Sequence, residues 1–231
     1  AMLRSLPNVQ VLRPADAIET AAAWKIAIES TKNPTAIILT RQNVTTLENT
    51  SVESVSKGAY IVGHEVDHID AIIIATGSEV NLAMEAKKAL FEQGIDVRVV
   101  SMPSMELFEK QDDDYKETVL PHNVRARLSI EMASDFGWYK YVGLDGKTMS
   151  VNKFGTSAPA NVVIENYGFT VENVIKNIKE DRRQCRLLLL LNANEDQLLL
   201  HLWDYHFHLY KDYCLCHIHF WVQQIQCVHL F

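Results

Sequence analysis

The chain changes character near Glu180, and that change limits what can be built from it. Before it, apolar patterns of strand and helix length alternate. After it come all four cysteines (Cys185, Cys214, Cys216, Cys227), six of the nine histidines and five consecutive leucines, Leu187 to Leu191. Fold and function are therefore read from the first 180 residues. A length of 231 residues allows one large domain or two small ones. The net charge of -7, with no basic stripe interleaved with aromatics, argues against a nucleic-acid or anionic-membrane surface. Ala1 to Asn8 lacks the apolar core of a signal peptide, and the first 180 residues hold no cysteine, so no disulfide framework is available to them. The expectation is a soluble cytoplasmic protein.

Val9 to Leu12 reads as a short strand, and Arg13-Pro14 as a non-helical entry to a helix from Ala15 to Ser30. Asp16 and Glu19 have the spacing of a capping box. Ile18, Ala22, Ile26 and Trp24 give this helix a core-facing side. Asn33-Pro34 ends it, and Ala36 to Thr40 is a continuous apolar run, the pattern of a parallel strand covered on both faces. One strand-helix-strand unit is too little for a core. Val44 to Ser56, rich in Thr, Ser, Asn and Glu, reads as a surface linker.

A second α/β unit follows. Lys57 to Val62 reads as a strand, Asp70 to Ala75 as a buried strand and Thr76-Gly77-Ser78 as a tight turn. Glu79 to Gln93 is an amphipathic helix capped by Gly94, and Ile95 to Val100 the next parallel strand. Further elements are a helix at Asp112 to Leu120, a strand at Ala126 to Glu131, an aromatic-rich helix at Phe136 to Val142, a strand at Met149 to Phe154 and a helix at Thr170 to Glu180. The alternation implies an α/β fold, a mostly parallel sheet with helices on both faces, preceded by a partial strand-helix-strand unit.

These residues carry a resemblance. Leu12-Arg13-Pro14-Ala15-Asp16, Leu39-Thr40-Arg41-Gln42-Asn43, Ile74-Ala75-Thr76-Gly77-Ser78-Glu79-Val80 and Val99-Val100-Ser101-Met102-Pro103-Ser104 are similar, in order and spacing, to segments of transketolases. So are Phe108 to Asp112, Tyr115 to Pro121, Trp138 to Leu144, Phe154 to Ala160 and Tyr167 to Val174. The resemblance covers nearly all of residues 1–180. It divides the chain into a C-terminal remnant of the pyrimidine-binding domain at 1–44, a linker at 45–57, a transketolase C-terminal domain at 58–180 and a tail at 181–231 outside the family pattern.

What the resemblance implies is an enzyme that moves a two-carbon ketol unit between phosphorylated sugars, in the pentose phosphate pathway, as a homodimer. It would use thiamine diphosphate as electron sink with a divalent metal, magnesium or calcium. It also implies that the Gly-Asp-Gly segment holding metal and diphosphate, the glutamate that activates the aminopyrimidine and the substrate histidines lie before Ala1. This chain by itself is therefore expected to bind no thiamine diphosphate or metal, to hold no catalytic residue and to be inactive. The rival readings are a noncatalytic dimerisation or regulatory module, the C-terminal part of a related thiamine-diphosphate enzyme, and a nucleotide-binding module using Thr76 to Ser78.

By resemblance, Arg41 contacts the sugar phosphate. A guanidinium at the carboxyl end of a parallel strand suits that task, and the alternative is a surface arginine that caps the strand or pairs with an acid. Gln42 and Asn43 read as loop hydrogen-bonders. Thr76-Gly77-Ser78 reads as a helix entry ahead of an anion site. His64 and His68 belong to a hairpin loop, Asp112 to Asp114 to a charged first turn, and Trp138, Tyr139 and Tyr141 to packing or subunit contacts. In the tail, Cys214, Cys216, His217 and His219, to which Cys185, Cys227 and His229 could add donors, imitate a zinc site, but four ligands within six residues leave no chain between ligand pairs. Leu187 to Leu191 is too short to span a membrane. The tail is read as translation past a natural stop or in another frame, poorly ordered and functionless.

Overall fold

Ala71–Ala75 has no residue exposed to solvent on either side, and the rest of the fold is arranged around it. A computed structural model describes residues 1–191, without the side chains of the last four. The chain divides into two units, Ala1–Cys185 and Arg186–Phe231, and the description below concerns the first. A 3-10 turn at Leu3–Ser5 precedes β1 (Gln10–Leu12), α1 (Ala17–Glu29), β2 (Thr35–Ile37) and α2 (Val52–Ser56). Then come β3 (Tyr60–Gly63), β4 (Ala71–Ala75), α3 (Glu79–Phe91), β5 (Val97–Ser101), α4 (Met105–Glu109) and α5 (Asp113–Val119). The last elements are β6 (Arg127–Ile130), α6 (Tyr139–Val142), β7 (Lys147–Met149), α7 (Ala160–Asn166) and α8 (Val171–Leu191).

β1 and β2 form a two-stranded parallel ladder. The larger sheet has the order β3-β5-β4-β6-β7 and is parallel except for β3, which runs antiparallel along β5. Side chains alternate across β4, so each face has its own core. Ala71, Ile73 and Ala75 meet Val80, Ala83, Ala86 and Leu90 of α3 and Val174 and Ile178 of α8. Ile72 and Ile74 meet Met105, Phe108, Val119, Tyr141 and Val142 of α4 to α6, and Trp138 at the start of α6. The expected α/β architecture, a mostly parallel sheet covered on both sides, is the one observed. α3 closes with Gly94 at a φ of 71°, a left-handed conformation that glycine adopts without strain. Among the described residues no helix is long and apolar enough to cross a membrane.

Several elements differ from expectation. The strand read at Ala36 to Thr40 covers only Thr35–Ile37, and Ile38 and Leu39 stand 41% and 51% exposed, because among the described residues β1 is the single neighbour of β2. Trp24, expected in the core, is 54% exposed; Ala22 and Ala23 take the buried face of α1. The segment read as a linker contains α2, capped by Ser51, whose Val55 is fully buried; its polar composition concealed a helix with few apolar residues. β7 starts and ends earlier than the strand read at Met149 to Phe154, and Phe154 is fully exposed. α6 spans only Tyr139–Val142 of the helix read at Phe136 to Val142. β3 and β4 do not pair, so His64 and His68 lie in a loop that is not a hairpin.

The change in composition after Glu180 is not a structural boundary. α8 runs through it, Arg182 pairs with Asp70, and Asp181 and Cys185 are buried. The tail is thus not foreign to the fold at its first turn, because the helical face of Val174 and Ile178 continues through Asp181 and Cys185. The cysteine and histidine cluster from Cys214 onward lies outside the described residues.

Asp181 is the costly member of that continuation. It has no exposed surface, and neither carboxyl oxygen has a hydrogen-bond partner among the described residues. Burial pushes its carboxyl up to about 7, drawn back only partly by the Arg127 backbone and the Lys147 charge, and raised further by Asp145. The unfolded chain gives up this proton near pH ~3.9, so between there and about pH 7 folding takes up a proton and stability falls as pH rises, levelling above. Asp181→Asn should melt a few degrees higher than the parent above pH 7, with the difference fading toward pH 4. Thermal melts of both chains across that range check it, and parallel curves would refute it.

Candidate functional site

The carboxyl ends of parallel strands are where α/β sheets usually take ligands, and in this chain that edge is already filled by its own residues 4–19. At the end of β4, the Gly77 N-H donates to the Arg13 carbonyl at 3.1 Å and the Thr76 hydroxyl does so at 3.2 Å. Gly77 has a φ of 61°, and a Cβ there would come within 2.6 Å of Arg13 Nη1. Arg13 in turn donates to the Thr76 carbonyl and to the Glu79 carboxylate. The glycine turn therefore receives an arginine side chain and its backbone in place of a ligand. It is a helix entry, with Glu79 supplying the negative charge that the helix start favours.

The ends of β5 and β6 are treated alike. The Arg13 N-H donates to the Pro103 carbonyl at 2.8 Å, and the Val11 N-H to Glu106 Oε2 at 3.2 Å. Glu131, just past β6, accepts from Arg4 Nη1 at 2.7 Å, Arg4 Nη2 at 2.9 Å and Trp138 Nε1 at 2.7 Å, with Arg13 Nε 3.9 Å away. The bidentate fork fixes both orientation and register. Burial pushes the Glu131 carboxyl up, but the Arg4 bonds, the Arg4 and Arg13 charges and the Trp138 donor outweigh it and hold it below the usual carboxylate range.

Glu19 makes the second bridge. Its oxygens accept from the Ala15 N-H, the Tyr60 hydroxyl at 2.7 Å and the Ser101 hydroxyl at 2.6 Å, with no exposed surface. Burial raises the carboxyl above its usual range, and these three donors offset it only in part. The capping box read from Asp16 and Glu19 is present, since the Glu19 N-H donates to Asp16 Oδ1 and the Ala15 N-H to Glu19 Oε2. The sequence reading missed its larger role, because spacing along a helix carries no sign of Tyr60 and Ser101 arriving from another sheet. Glu131 was read as the end of a strand; an acid following an apolar strand was its one visible signal.

Arg41 lies four residues past the end of β2 on a loop where Arg41, Gln42 and Asn43 are all exposed. Its side chain makes no hydrogen bond or ion pair among the described residues, so it neither caps the strand nor neutralises an acid there. Beside it runs an open groove of about 490 Å³ whose walls include Pro14, Asp16, Thr20, Trp24, Leu39, Thr40 and Gln42. Among the described residues no three His, Cys, Asp or Glu side chains are grouped to hold a metal. Asp112 caps α5 through the Tyr115 N-H, Trp138 and Tyr141 are buried in the core, and Tyr139 is exposed.

Fold and site define a two-part α/β protein, a strand-helix-strand piece sealing the ligand edge of a mostly parallel five-stranded sheet. Residues 58–170 match the Transketolase-like TK C-terminal domain, and residues 1–46 the transketolase pyrimidine binding domain. The chain belongs to the transketolase family. It is 54% identical over 183 residues to the transketolase of Bacillus subtilis, and 54% over 179 residues to a probable transketolase of Streptococcus pneumoniae, covering 78% of this chain and 27% of each of those proteins. The chain thus spans about a quarter of the length of these relatives. Among solved structures, the transketolase from Leishmania mexicana superposes with a TM-score of 0.75 at 43% identity, over 79% of this chain and 26% of that one. A split gene transketolase described as an inactive β4 tetramer superposes with a TM-score of 0.64 at 25% identity, over 79% of this chain and 60% of that one.

The buried network predicts a large mutational effect. Glu131→Ala leaves the Arg4 and Arg13 cations without their shared acceptor in a site with little solvent, a loss that typically costs about 3–5 kcal/mol. Urea unfolding of the variant should show a correspondingly lower midpoint. A change below about 1 kcal/mol, the worth of an exposed pair, would mean that the fork is not closed off from water.

Proposed function

We propose that this chain is the C-terminal part of a transketolase, with residues 1–44 the remnant of the pyrimidine-binding domain, 45–57 the link and 58–180 the C-terminal domain. The parent enzyme transfers a two-carbon ketol unit between phosphorylated sugars as a homodimer, with thiamine diphosphate and magnesium or calcium. The match of two transketolase domains in their family order supports this reading. Thiamine diphosphate would supply the electron sink for cleaving the ketol carbon-carbon bond.

The described residues do not fit that cofactor. The buried carboxylates nearest the groove, Asp16 and Glu19, have their oxygens taken up by protein donors. Neither is free to accept from an aminopyrimidine or to ligate a metal. The contribution of this chain to the parent is then to bind, and Arg41 is the group we assign to the sugar phosphate. Its exposed and unpaired guanidinium at a strand's carboxyl end is the observation that carries the assignment. A further reading, a noncatalytic module engaged in assembly, is favoured by the inactive tetramer formed by the split gene relative.

Two outcomes follow. Alone, the chain should show no ketol transfer and no saturable binding of thiamine diphosphate with magnesium; calorimetry at micromolar cofactor tests this, and a saturating isotherm would overturn it. In the full-length parent, loss of a charge-assisted donor is worth about 1.5–3 kcal/mol, so Arg41→Ala should lower kcat/KM for phosphorylated sugars by about 10- to 150-fold. Unphosphorylated sugars should be much less affected. Equal losses for both classes would mean that Arg41 holds the loop and does not read phosphate.

A further inference from the structure

The reach of Arg41 depends on how its loop is anchored. On one side the anchor is the β ladder, where the Ile38 N-H donates to the Leu12 carbonyl at 2.8 Å. From there to Thr46 the described residues offer the loop a single hydrogen bond of its own, from the Gln42 N-H to Thr40 Oγ1 at 3.2 Å. The second anchor is Asp16. This residue is 1% exposed, and its two oxygens do different work. Oδ1 accepts the Glu19 N-H at 2.8 Å and caps α1. Oδ2 accepts the Leu47 N-H at 3.0 Å and lies 3.0 Å from the Thr50 hydroxyl.

A helix cap needs only one of these oxygens. The second reaches a segment 31 residues on, where it closes the loop that carries Arg41. The same aspartate borders the groove whose walls also include Thr40 and Gln42. We propose that Asp16 is a positioning residue for sugar-phosphate recognition: by fixing Leu47 and Thr50 to the start of α1, it sets the path of residues 41–46 and so the point that the Arg41 guanidinium can reach. This rests on the assignment of Arg41 above. A loop without that second anchor samples more paths, and a phosphate ligand has to select the competent one, which weakens binding by the fraction lost.

Two substitutions separate the anchor from the cap. Asp16→Asn keeps an acceptor for the Glu19 N-H, and asparagine caps helices as well as aspartate, but its amide group presents a donor to the Leu47 N-H. Thr50→Val removes the hydroxyl and leaves the cap untouched. In the 231-residue chain, exchange of the Leu47 amide should quicken by about 10-fold or more in Asp16→Asn, the loss of one buried acceptor, while the amides of α1 keep their rates. In a full-length transketolase carrying residues 1–185 of this chain, each variant should raise KM for phosphorylated sugars by about 2- to 10-fold. kcat and the kinetics with unphosphorylated sugars should hold.

Arg41→Ala is measured alongside. If it shows the phosphate-selective loss while both anchor variants retain the parent's KM, the anchoring role is refuted and the Arg41 assignment stands. If Arg41→Ala shows no selectivity, the assignment falls and the role of Asp16 falls with it. Equal losses on both substrate classes in the anchor variants would reduce Asp16 to a structural cap.

Discussion

The structure of the first unit depends on the meeting of residues 4–19 with the carboxyl edge of the five-stranded sheet. That meeting is polar and largely dry: Arg4 and Arg13 on Glu131, Arg13 on Glu79, and Glu19 on Tyr60 and Ser101. Buried charges need partners placed to fractions of an ångström, since a misplaced one retains its desolvation cost and loses its attraction. An apolar interface tolerates sliding, whereas this one specifies a single seating. The two-stranded ladder, which could not form a core alone, is held at one position on its neighbour.

This arrangement also bears on where chemistry can occur. A mostly parallel sheet with a glycine turn after its central strand has the outline of a ligand-binding fold. Yet the donors of that turn point at the Arg13 carbonyl, and Arg13 occupies the space above Gly77. The rival reading of Thr76 to Ser78 as a nucleotide site has no free donors at Gly77 to work with. Open surface is found instead on the small ladder, beside Arg41 and the groove along α1.

Much of the fold was legible because its signals are local. The continuous apolar runs of β4 and β5, the amphipathic period of α3 and the glycine that ends it lie in short windows, and Asp16 with Glu19 announced the start of α1 correctly. The failures share a cause, which is tertiary context. β2 is short for want of a second neighbour, Trp24 faces outward because alanines take the buried side, and α2 is held by one buried valine in a polar segment. α8 passes the compositional break because Asp181 and Cys185 fall on the face already set by Val174 and Ile178. At the candidate site, Arg41 came from a family resemblance, while the second attachment of Asp16 and the partners of Glu131 join residues far apart in the chain, which no local pattern records.

The stretch between β2 and α2 has one more consequence. It ties the docked ladder to the sheet it seals, so the association is intramolecular and proceeds at the effective concentration set by a short chain, on the order of millimolar. A contact that combines buried polar pairs with apolar residues such as Ala15 and Ala22 can then remain closed without the affinity that two free proteins would require. Severing that stretch would leave every contact chemically intact and still turn the seal into an equilibrium governed by dilution.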